Sequence, residues 1–431
     1  MAVTATDAHG TIDAVWRIES AKIIATLARI TDDVGLAEEL AQDALVAALE
    51  QWPETGVPAN PGAWLTAIAK RRAIDHFRRA KVLERKQREL GFEAEAPHRD
   101  LEPDDVDDDL LRLIFTACHP ALSTPGRVAL TLRLVGGLTT AEIARAFLVP
   151  EPTVAQRIVR AKRTLAWKRV RFEVPSGEEL SPRLASVLEV IYLIFNEGYS
   201  ATAGDDWMRP ALCEDALRLG RILTGLAPNE PEVHGLVALM ELQASRSRAR
   251  VGRSGEPILL LDQNRARWDQ LLIRRGLAAL QRAERLSPLQ GTRSARQGRS
   301  RPGPYTVQAA IAACHARAAT AEDTDWVRIA ALYEALVHLN PSPVVELNRA
   351  VAVSMAFGPA AGLALVDALA DEPSLAGYHL LPAVRGDLLA RLGRSGQAAA
   401  EFQRAAELTR NARERTVLLD RERNCRAEGD R

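Results

Sequence analysis

The stretch Leu138–Leu165, LTTAEIARAFLVPEPTVAQRIVRAKRTL, has the pattern of two short helices joined by a turn. Thr139 or Thr140 can cap the first helix, which places Glu142 in its first turn, where a negative charge suits the helix dipole. A turn is expected at Leu148–Pro150, because proline lacks an amide hydrogen and the residue before it avoids the helical region. The spacing therefore predicts a helix-turn-helix.

The second helix of this motif combines an apolar stripe with a cationic outer face. Pro152 suits its first turn, where a missing N–H costs little. The inward positions at helical spacing are Val154, Ile158, Ala161 and Leu165. Hydroxyl and amide groups near the start of such a helix, followed by arginines, suit base edges and then phosphates. The residues left outside are Thr153, Gln156, Arg157, Arg160, Lys162 and Arg163. An ordinary helical hairpin with a solvated basic face is the alternative interpretation.

Length and charge limit the possible classes of protein. A chain of 431 residues with 47% hydrophobic content predicts two or three domains with real cores. The 56 basic and 56 acidic residues cancel, but their distribution is uneven. Cations cluster at Lys70–Arg88 and Arg157–Arg171, whereas anions cluster at Glu102–Asp109. This asymmetry favours nucleic-acid contact for parts of the chain only.

Neither a metal site nor enzymatic chemistry is indicated by the sequence. The four cysteines lie far apart without a CxxC pair, so we expect buried thiols and no metal or other cofactor: Cys118, Cys213, Cys314 and Cys425. Since no P-loop, HExxH or GxSxG motif occurs, we expect no catalytic residues. No apolar run approaches the ~20 residues of a membrane span, and the N-terminal stretch lacks signal-peptide features. We therefore expect a cytoplasmic protein without a membrane partner.

Almost every periodic segment is helical, so we predict an all-α protein. In the first block, helices are expected at Val15–Ile30, Val34–Gln51 and Gly62–Arg79, with a loop at Pro53–Pro61. Six carboxylates within Glu102–Asp109 repel one another and favour an extended, solvated chain. The predicted divisions are 12–81, an acidic flexible linker at 82–109, the helix-turn-helix block at 110–172, and a long helical block at 178–420.

The long C-terminal block has the pattern of stacked helix pairs. A tetratricopeptide-like spacing is formed by Gly386, Gly393, Ala398, Phe402 and Ala405. Helix pairs that cannot bury their apolar faces alone stack into a curved array with a concave surface. Gly291–Gly303 is rich in Arg, Ser, Gly and Gln and predicts a flexible loop.

Ala37–Leu45, AEELAQDAL, with Ala48, resembles the polymerase-binding helix of region 2 in bacterial sigma factors of the extracytoplasmic-function (ECF) group. In that family the helix docks on the clamp helices of core RNA polymerase. The resemblance implies core-polymerase binding by polar residues that lie largely on one side of the helix: Glu38, Glu39, Gln42 and Asp43. In an isolated helix the same residues would suit a solvated acidic face.

Trp64–Arg79, WLTAIAKRRAIDHFRR, resembles the −10 element helix of the same family. A basic helix can hold the backbone of a separated strand while a preceding loop captures unstacked bases. The family commonly has asparagine at the position of Arg71. The resemblance implies −10 contacts from Asn60, Trp64, Lys70, Arg71, Arg72, Arg78 and Arg79. A core anchor is an open alternative for Trp64.

The helix-turn-helix block resembles region 4 of these sigma factors, which reads the −35 element in the major groove. The resemblance gives −35 contacts to Thr153, Gln156, Arg157 and Arg160, with phosphate neutralisation by Lys162 and Arg163. Pro152 stands where many members have glycine. No −35 sequence is inferred from this helix.

The third block resembles the tetratricopeptide-like C-terminal extension of one ECF subgroup. The similarity is carried by Val190–Ala201, by Leu261–Arg265 with Trp268 and Asp269, and by Pro341–Ala350. Gly291–Gly303 resembles an insertion beyond the usual pattern. The polar residues of these segments either line a groove for a ligand or partner, or cap helices and satisfy buried backbone groups.

Together these resemblances imply a non-catalytic sigma factor whose partners are core RNA polymerase and promoter DNA. Its C-terminal helical domain would have an intramolecular or protein partner and would regulate the sigma unit, either by masking it or by supporting polymerase contact. Two other hypotheses stay open from the residues alone. One is a duplex-DNA regulator with the array as its sensor, and the other is a scaffold protein.

Overall fold

The computed structural model describes residues 5–88, 106–147, 149–200, 207–252, 257–287 and 302–429. Within these ranges the chain forms α-helices and short 3-10 turns without a β-strand, so the predicted all-α class is confirmed. The chain divides into two compact units, Met1–Leu193 and Ile194–Arg431. The loop expected at Gly291–Gly303 falls mostly outside the described residues.

The first unit contains the predicted helices of the first two blocks. Its helices are α1 Ala5–Thr31, α2 Val34–Thr55, α3 Pro61–Arg88, α4 Val106–Ala117, α5 Thr124–Leu134, α6 Thr140–Phe147, α7 Glu151–Trp167 and the beginning of α8, Leu180–Tyr199. Asp33 caps α2, because its side chain accepts hydrogen bonds from the amides of Gly35 at 2.7 Å and Leu36 at 3.1 Å. At its other end α2 stops at Gly56, whose φ of 83° suits glycine.

The helices α1, α2 and α3 pack around one apolar core. α3 contributes a stripe at four-residue spacing, Leu65, Ala69 and Ala73, that is almost fully buried. Trp52 of α2 is also buried, and its ring meets Trp64 of α3 edge-to-face at a centroid distance of 5.3 Å. This packing fixes which side of α3 faces solvent.

The expectation of an extended acidic linker is wrong where it reaches the described residues. Residues 82–88 continue α3, and 106–109 form the first turn of α4. Asp109 is buried there, where it binds Arg29 of α1 at 2.9 Å and Arg112 at 3.1 Å. Asp109 is thus neutralised by these arginines, and Asp108 pairs with Arg112 as well. Both lie near a helix N-terminus, where negative charge is favourable, so helix formation is possible here.

The helix-turn-helix has the predicted form. Thr139 and Glu142 make reciprocal hydrogen bonds: the Thr139 amide donates to the Glu142 carboxylate at 2.8 Å, and the Glu142 amide donates to the Thr139 hydroxyl at 3.1 Å. The inward stripe of α7 is buried as predicted: Val154, Ile158, Ala161 and Leu165. Leu148, in the predicted turn, lies outside the described residues.

The first unit extends beyond the helix-turn-helix into α8. The hydroxyl of Ser186 donates to the carbonyl of Cys118 at 2.6 Å, and Arg127 donates to Ser186 at 2.5 Å and to Glu189 at 2.9 Å. Arg183 also donates to the carbonyl of Phe115 at 3.1 Å. The beginning of α8 is thus part of the packing of the first unit rather than a free connector.

The second unit is an array in which successive helices pack on one another. After the end of α8, its helices are α9 Pro210–Leu226, α10 Pro231–Ala244, α11 Gln270–Leu286, α12 Pro304–Arg317, α13 Trp326–Leu339, α14 Pro343–Phe357, α15 Pro359–Asp367, α16 Leu380–Arg391, α17 Ser395–Leu408 and α18 Ala412–Gly429. At Gly386, an added Cβ would lie 3.1 Å from the ring of Phe402, so glycine permits close contact of α16 with α17. Gly393 turns the chain between them with a φ of 74°.

Polar residues of the extension motifs satisfy backbone groups in the second unit. Arg265 donates to the carbonyls of His315 at 2.5 Å and Ala318 at 3.0 Å. Asp269 caps α11 by accepting from the amide of Leu271 at 2.9 Å. Arg265 and Asp269 therefore have the structural role, satisfying backbone groups and capping a helix, that the sequence left open. Gln263 similarly donates to the carbonyl of Ile258 at 3.1 Å.

The cysteines are buried thiols outside any disulfide bond, and their burial agrees with the prediction: Cys118, Cys213, Cys314 and Cys425. Burial raises the pKa of the Cys118 and Cys213 thiols to about 12. Within the described residues, no three His, Cys, Asp or Glu side chains are grouped to hold a metal ion. No described helix combines the length and apolar character that crossing a membrane requires.

Candidate nucleic-acid interface

The outer face of α7 presents the polar and cationic residues that the sequence places there. Gln156, Arg160 and Arg163 are exposed, while Thr153 and Arg157 are half-buried at the edge of the same face. The burial of the opposite stripe fixes this orientation, since residues three and four apart share one side of a helix. Such a face can offer amide and guanidinium donors to base edges and phosphates.

Lys162 differs from its neighbours on α7. Its ammonium group forms an ion pair with the carboxylate of Glu38 on α2, and its side chain is only 21% exposed. The proposed phosphate contact and this ion pair require the same ammonium group. The ion pair with Glu38 therefore draws part of the charge of Lys162 away from the outer face of α7.

The outer face of α3 is strongly basic. Arg71, Arg72, Arg78 and Arg79 are exposed, and Lys70 is half-buried. Arg71 and Arg78 lie opposite the buried stripe of Leu65, Ala69 and Ala73, whereas Lys70, Arg72 and Arg79 flank it. Cations spread in this way can follow a phosphate backbone.

Two residues assigned to the −10 element already have structural partners. The side-chain oxygen of Asn60 accepts a hydrogen bond from the amide of Ala63 at 3.1 Å, directly before α3. Its NH2 group and the second lone pair of the oxygen are then left to contact a base. Trp64 is half-buried against Trp52, as its alternative interpretation as a core anchor requires.

Sequence reasoning missed two apolar residues on the basic face of α3. Ile74 is 49% exposed and Phe77 is 38% exposed. Ile74 departs from the four-residue spacing of the inward stripe, and this departure was the available signal. Phe77 continues that spacing beyond Ala73, so the pattern alone predicts burial there and gave no signal of its exposure. An exposed aromatic ring beside arginines offers a surface on which an unpaired base can stack.

The four polar residues of α2 do not share one environment. Glu39 and Asp43 are exposed, whereas Glu38 is only 4% exposed and Gln42 is half-buried. Gln42 donates to the Glu38 carboxylate at 2.7 Å. One edge of the acidic face is therefore free for a partner, and the other edge is occupied within the unit.

The partners of Glu38 come from the helix-turn-helix block. Arg133 of α5 donates to its carboxylate at 2.6 Å, and Lys162 of α7 pairs with its second oxygen. Arg133 also donates to the carbonyl of Leu138 at 3.2 Å, which ties it to the segment preceding α6. A carboxylate this deeply buried is stable because two cations and an amide surround it.

Two further ion pairs join the same helix groups. Arg17 of α1 binds Glu142 of α6 at 2.5 Å, and Arg29 of α1 binds Asp109 of α4 at 2.9 Å. The first pair is largely exposed on the arginine side and contributes little, whereas the second is buried. Among the described residues, charge pairing thus connects α1 and α2 with α4–α7 at three places.

Comparison with protein families assigns most of these elements. Residues 18–82 match the family model described as Sigma-70 region 2, and residues 112–165 match Sigma-70, region 4. Residues 183–284 match a family of unknown function, DUF6596. The matched ranges contain the basic face of α3 up to Arg79, the acidic face of α2 and the helix-turn-helix.

Similar proteins include one that matches nearly the whole chain and several ECF sigma factors that match about a third of it. An uncharacterized protein of Rhizobium meliloti is 43% identical over 420 residues, which is 95% of this chain and 94% of the relative. A probable ECF RNA polymerase sigma factor, SigI, of Mycobacterium tuberculosis is 25% identical over 39% of this chain and 59% of its own length. The ECF RNA polymerase sigma factor SigK of Mycobacterium ulcerans is 28% identical over 33% of this chain and 78% of its own.

The ion-pair cluster of Glu38 can be tested by a double-mutant cycle. We expect Glu38→Ala and Arg133→Ala to be coupled by about 1–3 kcal/mol in the free energy of unfolding of the first unit, because each leaves a desolvated charge behind. Urea unfolding of the single and double variants measures this coupling. The exposed pair Glu19–Lys22, 3.9 Å apart, is the control and should couple by less than about 0.5 kcal/mol. Equal coupling in the two cycles would contradict a buried, desolvated cluster.

Proposed function

The chain belongs to the sigma-70 family, as an ECF sigma factor with a C-terminal helical extension, and on that basis we propose which of its surfaces bind core polymerase and promoter DNA. As a sigma factor it directs transcription initiation, and by family membership it is a non-catalytic subunit. Membership also implies that it binds core RNA polymerase and promoter DNA. The proposal concerns the residues that make these contacts and the role of the extension.

Core polymerase is bound, in this proposal, through the acidic face of α2. Glu39 and Asp43 are exposed and available in the free protein. Glu38, in contrast, accepts hydrogen bonds from both Gln42 and Arg133. Polymerase would therefore meet the free carboxylates first. Full docking on this face requires release of Glu38 from Arg133 and Lys162.

Promoter DNA is bound through two basic faces. The opened −10 strand would lie on α3 against Arg71, Arg72, Arg78 and Arg79, with Phe77 available to stack on a base. The −35 duplex would meet Gln156, Arg157 and Arg160 on α7. The observation that carries this assignment is the burial of the opposite stripe on each helix, because it leaves these cations facing outward.

The two contacts are coupled through one side chain. Lys162 neutralises Glu38 in the free unit and would be free to contact a phosphate once Glu38 is released. Polymerase docking on α2 would then add a cation to the DNA-binding face of α7. This coupling supports binding of promoter DNA by the polymerase-bound protein in preference to the free one.

Replacement of the −35 contacts separates DNA binding from polymerase binding. We expect Arg157→Ala with Arg160→Ala to lower promoter-dependent transcription about tenfold or more, because each base or phosphate contact is worth about 1–3 kcal/mol. Binding to core polymerase should not change. Run-off transcription and a core-binding titration measure the two quantities, and Arg404→Ala, an exposed residue of α17, is the control. A loss of core binding would contradict the assignment of these faces.

The extension is proposed to act on the sigma unit, by masking its contact surfaces or by supporting polymerase contact. A truncation has to retain α8, because Ser186 and Arg183 hold the start of this helix on the first unit. For residues 1–199, masking predicts higher transcription than the full chain, and support predicts lower transcription. Unchanged activity would contradict both. Residues 1–176 serve as the comparison, since that truncation also removes the α8 contacts.

A further inference from the structure

The helix α11 in the second unit is unusually basic for a chain without net charge. Its sequence QLLIRRGLAALQRAERL contains four arginines and a single carboxylate, Glu284. The arginines are Arg274, Arg275, Arg282 and Arg285, and all four are exposed. The sigma-factor contacts proposed above do not involve this helix.

The four arginines share one side of α11. At 100° per residue they fall within an arc of about 100°, and the pairs at the two ends are separated by about 13 Å along the helix axis. Ala278 lies between the pairs and is also exposed, so no large side chain interrupts the face. Arg248 and Arg267 extend the cationic surface, because both line a depression at the start of the helix beside Gln270.

The opposite side of α11 is fixed in the core of the unit. Ile273, Leu280 and Ala283 are buried, and a Cβ added at Gly276 would lie 2.7 Å from Cγ of Leu242 on α10. Asp269 caps the first turn of the helix. The arginines therefore project from a rigid support rather than from a loop, which reduces the entropy lost when they bind a partner.

The charges of this face are not neutralised within the described part of the chain. None of the four arginines forms an ion pair there, and the one contact made by their guanidinium groups is a 3.4 Å hydrogen bond from Arg282 to the carbonyl of Pro228. Elsewhere in the same unit arginines do find carboxylates: the exposed Arg426 pairs with Glu422, and the half-buried Arg385 pairs with Asp367 at 2.8 Å. The α11 face thus differs from an ordinary mixed surface.

The composition and the spacing of the face fit phosphate groups. Arginine presents a planar fork of donors that matches phosphate oxygens, and the face contains no lysine. The spacing of the two arginine pairs is comparable with the ~12 Å width of the major groove, so each pair can reach one of the bordering backbones. An interfacial membrane helix would need an exposed apolar side, but on α11 that side is buried and only Leu271 is a large exposed apolar residue.

We propose that the arginine face of α11 binds the phosphate backbone of duplex DNA without reading its sequence. The second unit would then add a salt-sensitive contact to the DNA on which the protein works. This contact is separate from those of α3 and α7. Its test needs neither polymerase nor a promoter, so its failure would leave the proposed sigma-factor contacts untouched.

The test measures how the affinity of the full-length protein for a short duplex of arbitrary sequence depends on salt. Each phosphate contact contributes about 0.9 to the slope of log affinity against log salt, so Arg→Gln at positions 274, 275, 282 and 285 should lower the slope by roughly 3 to 4. When salt is raised from about 50 to 200 mM, the wild type should lose on the order of 100-fold more affinity than the quadruple variant loses. The matched control removes four exposed arginines of the same unit, Arg328, Arg394, Arg404 and Arg410. Thermal unfolding checks that both variants fold.

A second measurement locates the contact. A photo-crosslinking amino acid at position 278 should crosslink to the duplex, and one at the exposed position 407 of α17 should not. Equal slopes for the quadruple variant and the wild type would overturn the proposal, as would the absence of crosslinking at position 278. If the quadruple variant lost binding to vesicles with anionic lipids while its duplex binding stayed unchanged, the face would be assigned to a membrane surface. That result would also overturn the proposal.

Discussion

The carboxylate of Glu38, enclosed by Arg133 and Lys162, is the interaction on which the arrangement of the first unit depends. It joins the acidic face of α2 to α7, the helix proposed to contact the −35 element. A buried carboxylate needs such partners, because desolvation without them would cost several kcal/mol. The same charges are those that polymerase and DNA would require, so the free unit and the engaged unit have to satisfy Glu38 in different ways.

The absence of net charge conceals a spatial separation of charges. Cations are concentrated on the outer faces of α3, α7 and α11, whereas important carboxylates lie inside the first unit or against arginines. Asp109 is an example, since it is buried between Arg29 and Arg112. Overall neutrality therefore does not predict weak affinity for nucleic acid, because this affinity depends on the local cationic face rather than on the net charge of the chain.

Local signals in the sequence predicted the elements and their orientation. The stripe of α7, the capping role of Thr139 and the helix-turn-helix all follow from spacings of three and four residues, and the structure has them. Contacts between distant residues were not predictable in this way. Glu38 meets Arg133 across 95 positions, so its burial could not be inferred from a pattern that resembles a solvated or polymerase-binding face. The helical turn at Val106–Asp109 was missed for the same reason. Arg29 of α1, which neutralises Asp109, lies 80 positions away in the sequence.

The distance between α2 and α7, with and without core polymerase, tests the account most directly. Fluorescent labels can be placed by Glu54→Cys and Glu151→Cys, both at exposed positions, because the native cysteines are buried and label poorly. We expect efficient energy transfer in the free protein and a marked loss on binding of core polymerase. The charge reversal Arg133→Glu should reduce transfer without polymerase, since it places two carboxylates together. Transfer that stays unchanged when polymerase is bound would contradict the claim that release of Glu38 accompanies docking.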